Sequence, residues 1–251
     1  MYDEIVTHDT GIEYGIIKGN NKVLYIKVGN GGSIYGYNNK YLEIANDANE
    51  KIGCTVVVAS NPVNIREHDN IKNDMEFINK YMNYDITEIF AFGHSNGGVI
   101  LSNYSVEYEL IKRVLIINAP LNINWHKIKE GLSNSKAKIT CLYGTDDPSY
   151  RYIELLRRIN NIEIVEIENA DHNFSNHYNE FRYATIEYLF KDVWFMYGNK
   201  LPDEEFVNKL LNCFNEKDYD KKYEYAKELY DYYMEQNNDF DINDFSLRSE
   251  T

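Results

Sequence analysis

Ile89-Phe90-Ala91-Phe92-Gly93-His94-Ser95-Asn96-Gly97-Gly98 is the stretch that decides how this chain folds. Its first half is a short apolar run, its second half opens a helical pattern, and between them lies Gly-x-Ser-x-Gly. A serine on so sharp a strand-to-helix turn must take a strained backbone conformation. Only very small residues two before and two after it avoid collision, which Gly93 and Gly97 satisfy. The turn lifts the Ser95 hydroxyl clear of the sheet at the N-terminus of a helix, where the backbone N–H of Asn96 can hold an oxyanion. A helix-capping serine in a glycine turn is the bland alternative. The strand-then-helix context favours a nucleophile.

Outward from this turn, short apolar runs alternate with longer helical periods. The runs are Val23–Val28, Thr55–Ala59, Ile89–Phe92, Val114–Asn118, Ile139–Tyr143 and Ile162–Ile167. Most are continuous and rich in Val and Ile, as parallel strands covered on both faces should be. The last is interrupted by Glu163 and Glu166, which suits a strand near the sheet edge. Helical faces lie between them: Tyr41, Ala45, Ala48 and Ile52, stopped by Gly53; Ile71, Met75, Ile78 and Met82; Tyr152, Leu155 and Ile159. The alternation predicts an α/β fold with a doubly wound, mostly parallel sheet. Ahead of it, two strand-like pieces around Thr10-Gly11 predict an antiparallel hairpin leading into that sheet.

With 251 residues and 43% hydrophobic composition, the chain is long enough to bury a full core. Its 40 Asp and Glu against 26 Lys and Arg give a net charge of −14. That balance argues against nucleic acid, whose phosphates need clustered cations, and against anionic lipid. No run approaches the roughly 20 apolar residues of a membrane span. The opening residues lack the apolar stretch of a signal peptide, so a cytoplasmic protein is expected. Cys54, Cys141 and Cys213 are odd in number and far apart, and read as reduced thiols. No cofactor or metal is expected: the histidines show no ligand spacing. After Tyr197-Gly198-Asn199 the character changes, because residues 199–251 carry 7 Lys and Arg against 14 Asp and Glu, half of the net charge of −14. A main domain over 1–198 is thus expected to be followed by an acidic helical extension over 199–251 with a frayed end. Its two apolar faces, Phe206/Leu210/Phe214 and Tyr219/Tyr223/Tyr230/Tyr233, must dock on the chain's own domain or on a second copy, which would make a homo-oligomer.

A nucleophilic serine needs a base and an acid that orients it. In this topology they should follow in the order serine, acid, histidine, each just past the C-terminal end of a later strand. Ile139–Tyr143 leads into Gly144-Thr145-Asp146-Asp147-Pro148, and Ile162–Ile167 leads into Glu168-Asn169-Ala170-Asp171-His172-Asn173-Phe174. With these three motifs in order, the chain resembles the α/β-hydrolase family over roughly Asp3–Tyr197. The resemblance implies Ser95 as nucleophile and His172 as base, within the A-D-H-x-F loop. It implies Asp147 as the acid, three residues after the strand-end glycine, with Asp146 as the competitor. His177 is the weaker alternative base, and His94 is expected to pack beside the nucleophile.

In many members of that family the loop after the first parallel strand reads H-G-x-G-G-S, and the x residue donates its backbone N–H to the oxyanion. Here the loop is Val28-Gly29-Asn30-Gly31-Gly32-Ser33, so the resemblance implies Asn30 as the second donor, with Gly31 as fallback. Val28 departs from the usual histidine. The same glycines do not make a dinucleotide loop, because Ile34 stands at the sixth position of G-x-G-x-x-G. Leu121–Ser135 leaves room for one short helix and no cap domain, so a shallow, open site is expected, with Trp125 and Tyr35 as rim candidates, although ordinary packing is the plainer reading of each. The implied activity is a serine hydrolase that cleaves a carboxylic ester, thioester or amide of a small-molecule acyl substrate through an acyl-enzyme. Peptidase and acyltransferase chemistry fit the same fold, and a catalytically silent binding or scaffold protein is the reading from another class.

Overall fold

The computed structural model describes residues 1–190 together with Asp218, Lys221, Glu224 and Lys227. The chain divides into two compact units, Met1–Asn199 and Lys200–Thr251. The helical faces expected between Phe206 and Tyr233, the frayed end and Cys213 lie outside the described residues.

Among the described residues eight strands form one sheet: β1 (Glu4–Thr7), β2 (Glu13–Ile17), β3 (Asn20–Lys27), β4 (Cys54–Ala59), β5 (Glu88–His94), β6 (Ile111–Ile117), β7 (Lys138–Gly144) and β8 (Ile162–Ile167). Among residues 1–190 they are accompanied by α1 (Lys40–Ile52), α2 (Glu67–Tyr81), α3 (Asn96–Tyr104), α4 (Trp125–Asn134), α5 (Ile153–Leu156) and α6 (Tyr178–Ala184), the last running into a π-helical turn over Thr185–Leu189. The order across the sheet is β1-β2-β4-β3-β5-β6-β7-β8. β1 pairs antiparallel with β2, and β2 antiparallel with β4. Every pair from β4 through β8 is parallel. The hairpin between β1 and β2 turns at Gly11, whose φ of 85° suits glycine.

Period-two alternation splits each central strand between two cores. Val23, Tyr25, Val57, Ala91, Val114, Ile116 and Cys141 pack under α2, α3, α4 and α5, against Ile71, Met75, Ile100, Ile128 and Leu156. Leu24, Ile26, Val56, Val58, Phe90, Phe92, Leu115 and Leu142 face the other way, against Tyr41, Ile44 and Ala48 of α1 and Phe181 and Ala184 of α6. Burial on both faces is why these strands read as continuous apolar runs. β8 ends the sheet, and its Glu163 and Glu166 are exposed there. α1 stops at Gly53, which takes φ 72° and returns its N–H to the Asn49 carbonyl.

One helical face differs from expectation. The segment after β7 makes a 3₁₀ turn over Tyr150–Tyr152 and then only the four residues of α5. Ile153, Leu156 and Ile159 are buried there, while Tyr152 and Leu155 are half-exposed. A spacing of three, matched to 3₁₀-like winding, replaces the α-helical spacing of three and four. No helix among the described residues is long and apolar enough to cross a membrane.

Candidate active site

β5 ends at His94 and α3 begins at Asn96, so Ser95 alone makes the turn. Its φ is 56° and its ψ −125°, the left-handed half of backbone space that side chains seldom enter. Two close approaches enforce the glycines. A Cβ on Gly93 would sit 2.7 Å from the Gly97 carbonyl oxygen, and one on Gly97 would sit 2.1 Å from the Lys27 carbonyl oxygen. The Ser95 N–H donates to Ile117 O at 2.9 Å, which ties the turn to β6.

The loop after β7 holds Asp146 and Asp147 in different surroundings. Asp146 is exposed; its backbone N–H donates to Ala170 O. Asp147 is 4% exposed, and its Oδ1 accepts the Ser149 N–H at 2.6 Å. Its Oδ2 lies 2.5 Å from His172 Nδ1, and His172 Nε2 lies 3.0 Å from Ser95 Oγ. The carboxylate can only accept, so Nδ1 carries the proton and Nε2 presents its lone pair to the serine hydroxyl. Ser95, His172 and Asp147 are thus brought into one hydrogen-bonded line across the C-terminal ends of β5, β8 and β7. His177 stands outside it, at the start of α6, with Nδ1 3.3 Å from Glu180.

The His172 loop is held by residues that sequence reasoning missed. Asn118, at the end of β6 with φ 46°, donates from Nδ2 to the carbonyls of Asp171 and His172, both at 3.1 Å. Its Oδ1 accepts the Gly144 N–H at 3.0 Å, so one side chain fixes the ends of three neighbouring strands. Within the loop, Asp171 Oδ1 accepts the N–H groups of Asn173 and Ser175. Backbone donors of this kind, Ser175 foremost, hold the Asp171 carboxyl below its usual range. An asparagine at a strand end just before a proline-containing loop was the available signal.

His94 packs beside His172, with ring centroids 5.4 Å apart. Its Nε2 lies 3.0 Å from the His172 carbonyl and its Nδ1 2.9 Å from Tyr41 Oη. A carbonyl only accepts, so Nε2 carries the proton and Nδ1 takes the Tyr41 hydroxyl hydrogen: the ring is neutral. Burial, reinforced by the neighbouring Lys40 cation, pushes its pKa from 6.5 down to about 3. The unfolded chain therefore binds a proton here between pH 6.5 and about 3 that the folded chain does not. This contribution to stability is present above pH 6.5 and is lost as the pH falls, at up to roughly 1.4 kcal/mol per pH unit. A His94→Gln variant lacks the titration. Its stability deficit against the parent, measured by urea unfolding, should shrink by about that amount per unit from pH 6.5 to 4.5. Parallel stability curves would show that His94 is not held neutral.

The loop after β3 passes directly over Ser95: a Cβ on Gly29 would lie 3.2 Å from Ser95 Cβ. The next amide, that of Asn30, and the Asn96 amide at the first turn of α3 donate to no group among the described residues. Gly31, the expected fallback donor, is already committed, since its N–H donates to Asn61 O at 2.8 Å. Val28, where the family's histidine would stand, is buried in the core shared with α1. A cleft of about 330 Å³ opens beside His172, walled by Pro120, Asn122, Pro148, Ser149 and Arg151. Between Leu121 and Ser135 the chain forms the ten-residue α4. Of the two rim candidates, Trp125 packs against the core beneath α4, and Tyr35 lies with its ring 5.5 Å from that of Tyr2. Among the described residues no three His, Cys, Asp or Glu side chains converge as metal ligands would.

This arrangement of sheet, elbow and loops is the α/β-hydrolase fold, and solved structures agree. The chain is similar to Est1E from Butyrivibrio proteoclasticus, with 12% identity and a TM-score of 0.65 over 77% of this chain and 99% of that one. It is similar to an alpha-beta serine hydrolase homologue from Coxiella burnetii, with 16% identity and a TM-score of 0.60 over 74% and 97%. It is also similar to the Pyrococcus furiosus esterase Pf2001, with 12% identity and a TM-score of 0.57 over 77% and 93%. No protein-family model and no curated protein matches the sequence.

Proposed function

We propose that this chain is a serine hydrolase that cleaves small carboxylic esters through an acyl-enzyme. The observation that carries the reading is the line Ser95 Oγ, His172 Nε2, His172 Nδ1, Asp147 Oδ2, with steps of 3.0 and 2.5 Å, mounted on a strained elbow. His172 takes the Ser95 proton as Oγ attacks the ester carbonyl. The N–H groups of Asn30 and Asn96 receive the charge that develops on the carbonyl oxygen. The tetrahedral intermediate expels the alcohol, protonated by His172, and leaves the acyl group on Ser95. Water, deprotonated by the same histidine, then releases the acid. Asp147 keeps the imidazole in the required tautomer and stabilises the imidazolium.

An ester is favoured over an amide by structural neighbours described as esterases. Est1E has been seen with ferulic acid bound, so a feruloyl ester belongs among the substrates tried. The modest cleft beside His172 favours a compact acyl group. The test pairs a fluorophosphonate probe with p-nitrophenyl esters of increasing acyl length and methyl ferulate. Labelling at Ser95 and turnover that falls as the acyl chain lengthens are expected. Silence toward several probe classes together with no ester turnover would favour the binding or scaffold reading. Faster acyl transfer to an added alcohol or amine than to water would redirect the assignment to an acyltransferase.

A further inference from the structure

The geometry points to Asn61 as a positioning residue that fixes both oxyanion donors, Asn30 and Asn96, at once; this rests on the ester-hydrolase reading and extends it. Asn61 follows β4, is 2% exposed, and lies more than thirty residues from either donor segment. Its backbone N–H donates to Gly32 O at 3.2 Å and its carbonyl accepts the Gly31 N–H at 2.8 Å. Its side-chain Nδ2 donates once to Val28 O at 3.1 Å and once to Asn96 Oδ1 at 3.0 Å. Val28, Gly31 and Gly32 bracket Asn30 on both sides, so three bonds define where the Asn30 N–H points. The fourth reaches the residue that supplies the other N–H.

The direction of these bonds is set from a distance. Lys27 is fully buried and can only donate, and its three hydrogens meet Ser60 O at 2.8 Å, Asn70 Oδ1 at 2.5 Å and Asp74 Oδ2 at 2.7 Å. With its oxygen engaged by the cation, Asn70 must turn its amide nitrogen outward, and it donates to Asn61 Oδ1 at 2.7 Å. Asn61 in turn must present its nitrogen to Val28 O and Asn96 Oδ1. Asn96 then donates from Nδ2 to Glu67 Oε1 at 3.3 Å. A cation at one end and a carboxylate at the other thus orient three amides in series, with no amide free to flip without breaking the row. Asp74 is anchored separately by the hydroxyls of Tyr14 and Tyr25, at 3.0 and 2.5 Å, so the origin of the row is itself fixed. Oxyanion donors act only when held about 2.7–3.1 Å from the oxygen they stabilise, and a displacement of about 1 Å costs on the order of 10²-fold in rate.

The experiment uses full-length protein, p-nitrophenyl acetate, and titration of active sites by the burst of p-nitrophenol. Asn61→Ala should lower kcat per titrated site by about 10²-fold, with KM changed by less than about threefold, because the donors act in the transition state. Affinity for an alkylboronic acid, whose adduct with Ser95 is tetrahedral, should fall in parallel. Asn61→Asp keeps the shape but turns an acceptor toward two acceptors, so it should be at least as damaging. A residue with only a structural role would reduce the burst amplitude and leave kcat per site alone, and the aspartate would be tolerated better than the alanine. Asn96→Ala removes one of Asn61's acceptors from a partly exposed position. It should give a smaller loss, and the double variant should be no worse than Asn61→Ala. If Asn61→Ala does not fold, Asn96→Ala decides, and kcat per site within twofold of the parent overturns the inference. A folded Asn61→Ala with kcat per site within threefold of the parent also overturns it while leaving the ester-hydrolase reading intact. A parent enzyme with no burst and no turnover overturns both.

Discussion

Ser95→Ala should lower ester turnover by on the order of 10⁴-fold or more without disturbing the fold. In the proposed mechanism the substitution removes the atom that attacks. Without Oγ there is no acyl-enzyme, and what survives is the field of the Asn30 and Asn96 amides on a bound ester attacked directly by water. The fold should be spared for a local reason. The strain of the elbow comes from a Cβ at φ 56°, and alanine keeps that Cβ. The backbone bonds of the turn, Ser95 N–H to Ile117 O and Val99 N–H to Ser95 O, are untouched by the substitution. His172 keeps its bond to Asp147 and loses only the hydroxyl at 3.0 Å. The measurement is kcat/KM on the best p-nitrophenyl ester, together with the thermal midpoint of both proteins. Activity within tenfold of the parent would eliminate Ser95 as the nucleophile. Equal thermal midpoints with activity lost would separate chemistry from folding.

Much of this frame was legible in the sequence because it depends on local rules. A parallel strand covered on both faces must be apolar at every position, and β3 to β7 each announce themselves in that way. The elbow was legible because its steric demand falls on two positions at fixed spacing, Gly93 and Gly97. The winding of the segment after β7 was not legible, since Tyr152, Leu155 and Ile159 and Ile153, Leu156 and Ile159 make equally plausible apolar sets until the packing chooses. The polar supports were hidden for a different reason. Asn118 bonds to residues 26, 53 and 54 positions away, and Asn61 to partners 33 and 35 positions away. An asparagine offers two donors and an acceptor anywhere in a chain, so nothing in its neighbours says which remote carbonyl it will hold. Gly31 could be named as a fallback donor from the loop's resemblance to H-G-x-G-G-S. Its prior engagement with Asn61 needed the register of two loops from different strands.

The pair Asp146 and Asp147 gives the second large effect, because adjacent residues of the same type should respond in opposite ways. Asp147→Asn should reduce turnover by on the order of 10⁴-fold, as loss of a triad acid does elsewhere. The mechanism is tautomeric. An asparagine can turn its amide nitrogen toward His172 Nδ1, which makes Nδ1 an acceptor and puts the proton on Nε2. That nitrogen then donates to Ser95 and cannot take its proton. The substituted side chain has little freedom to avoid this, being 4% exposed, with Oδ1 already accepting the Ser149 N–H at 2.6 Å. The oxygen should stay with that donor, which leaves the new nitrogen facing the imidazole. Asp146→Asn should change turnover by less than about threefold. Its side chain is exposed, and the bond that sets its place in the loop, to Ala170 O, comes from the main chain. Losing one negative charge near His172 in a solvated position is screened, and shifts an interaction of this kind only slightly. The check is kcat for both variants across pH 6 to 10. A tautomer defect in Asp147→Asn should ease at high pH, where hydroxide can take the serine proton in place of the histidine. Asp146→Asn should follow the parent's profile throughout. A larger loss from Asp146→Asn than from Asp147→Asn would reverse the assignment of the acid, and with it the direction in which the His172 ring is held.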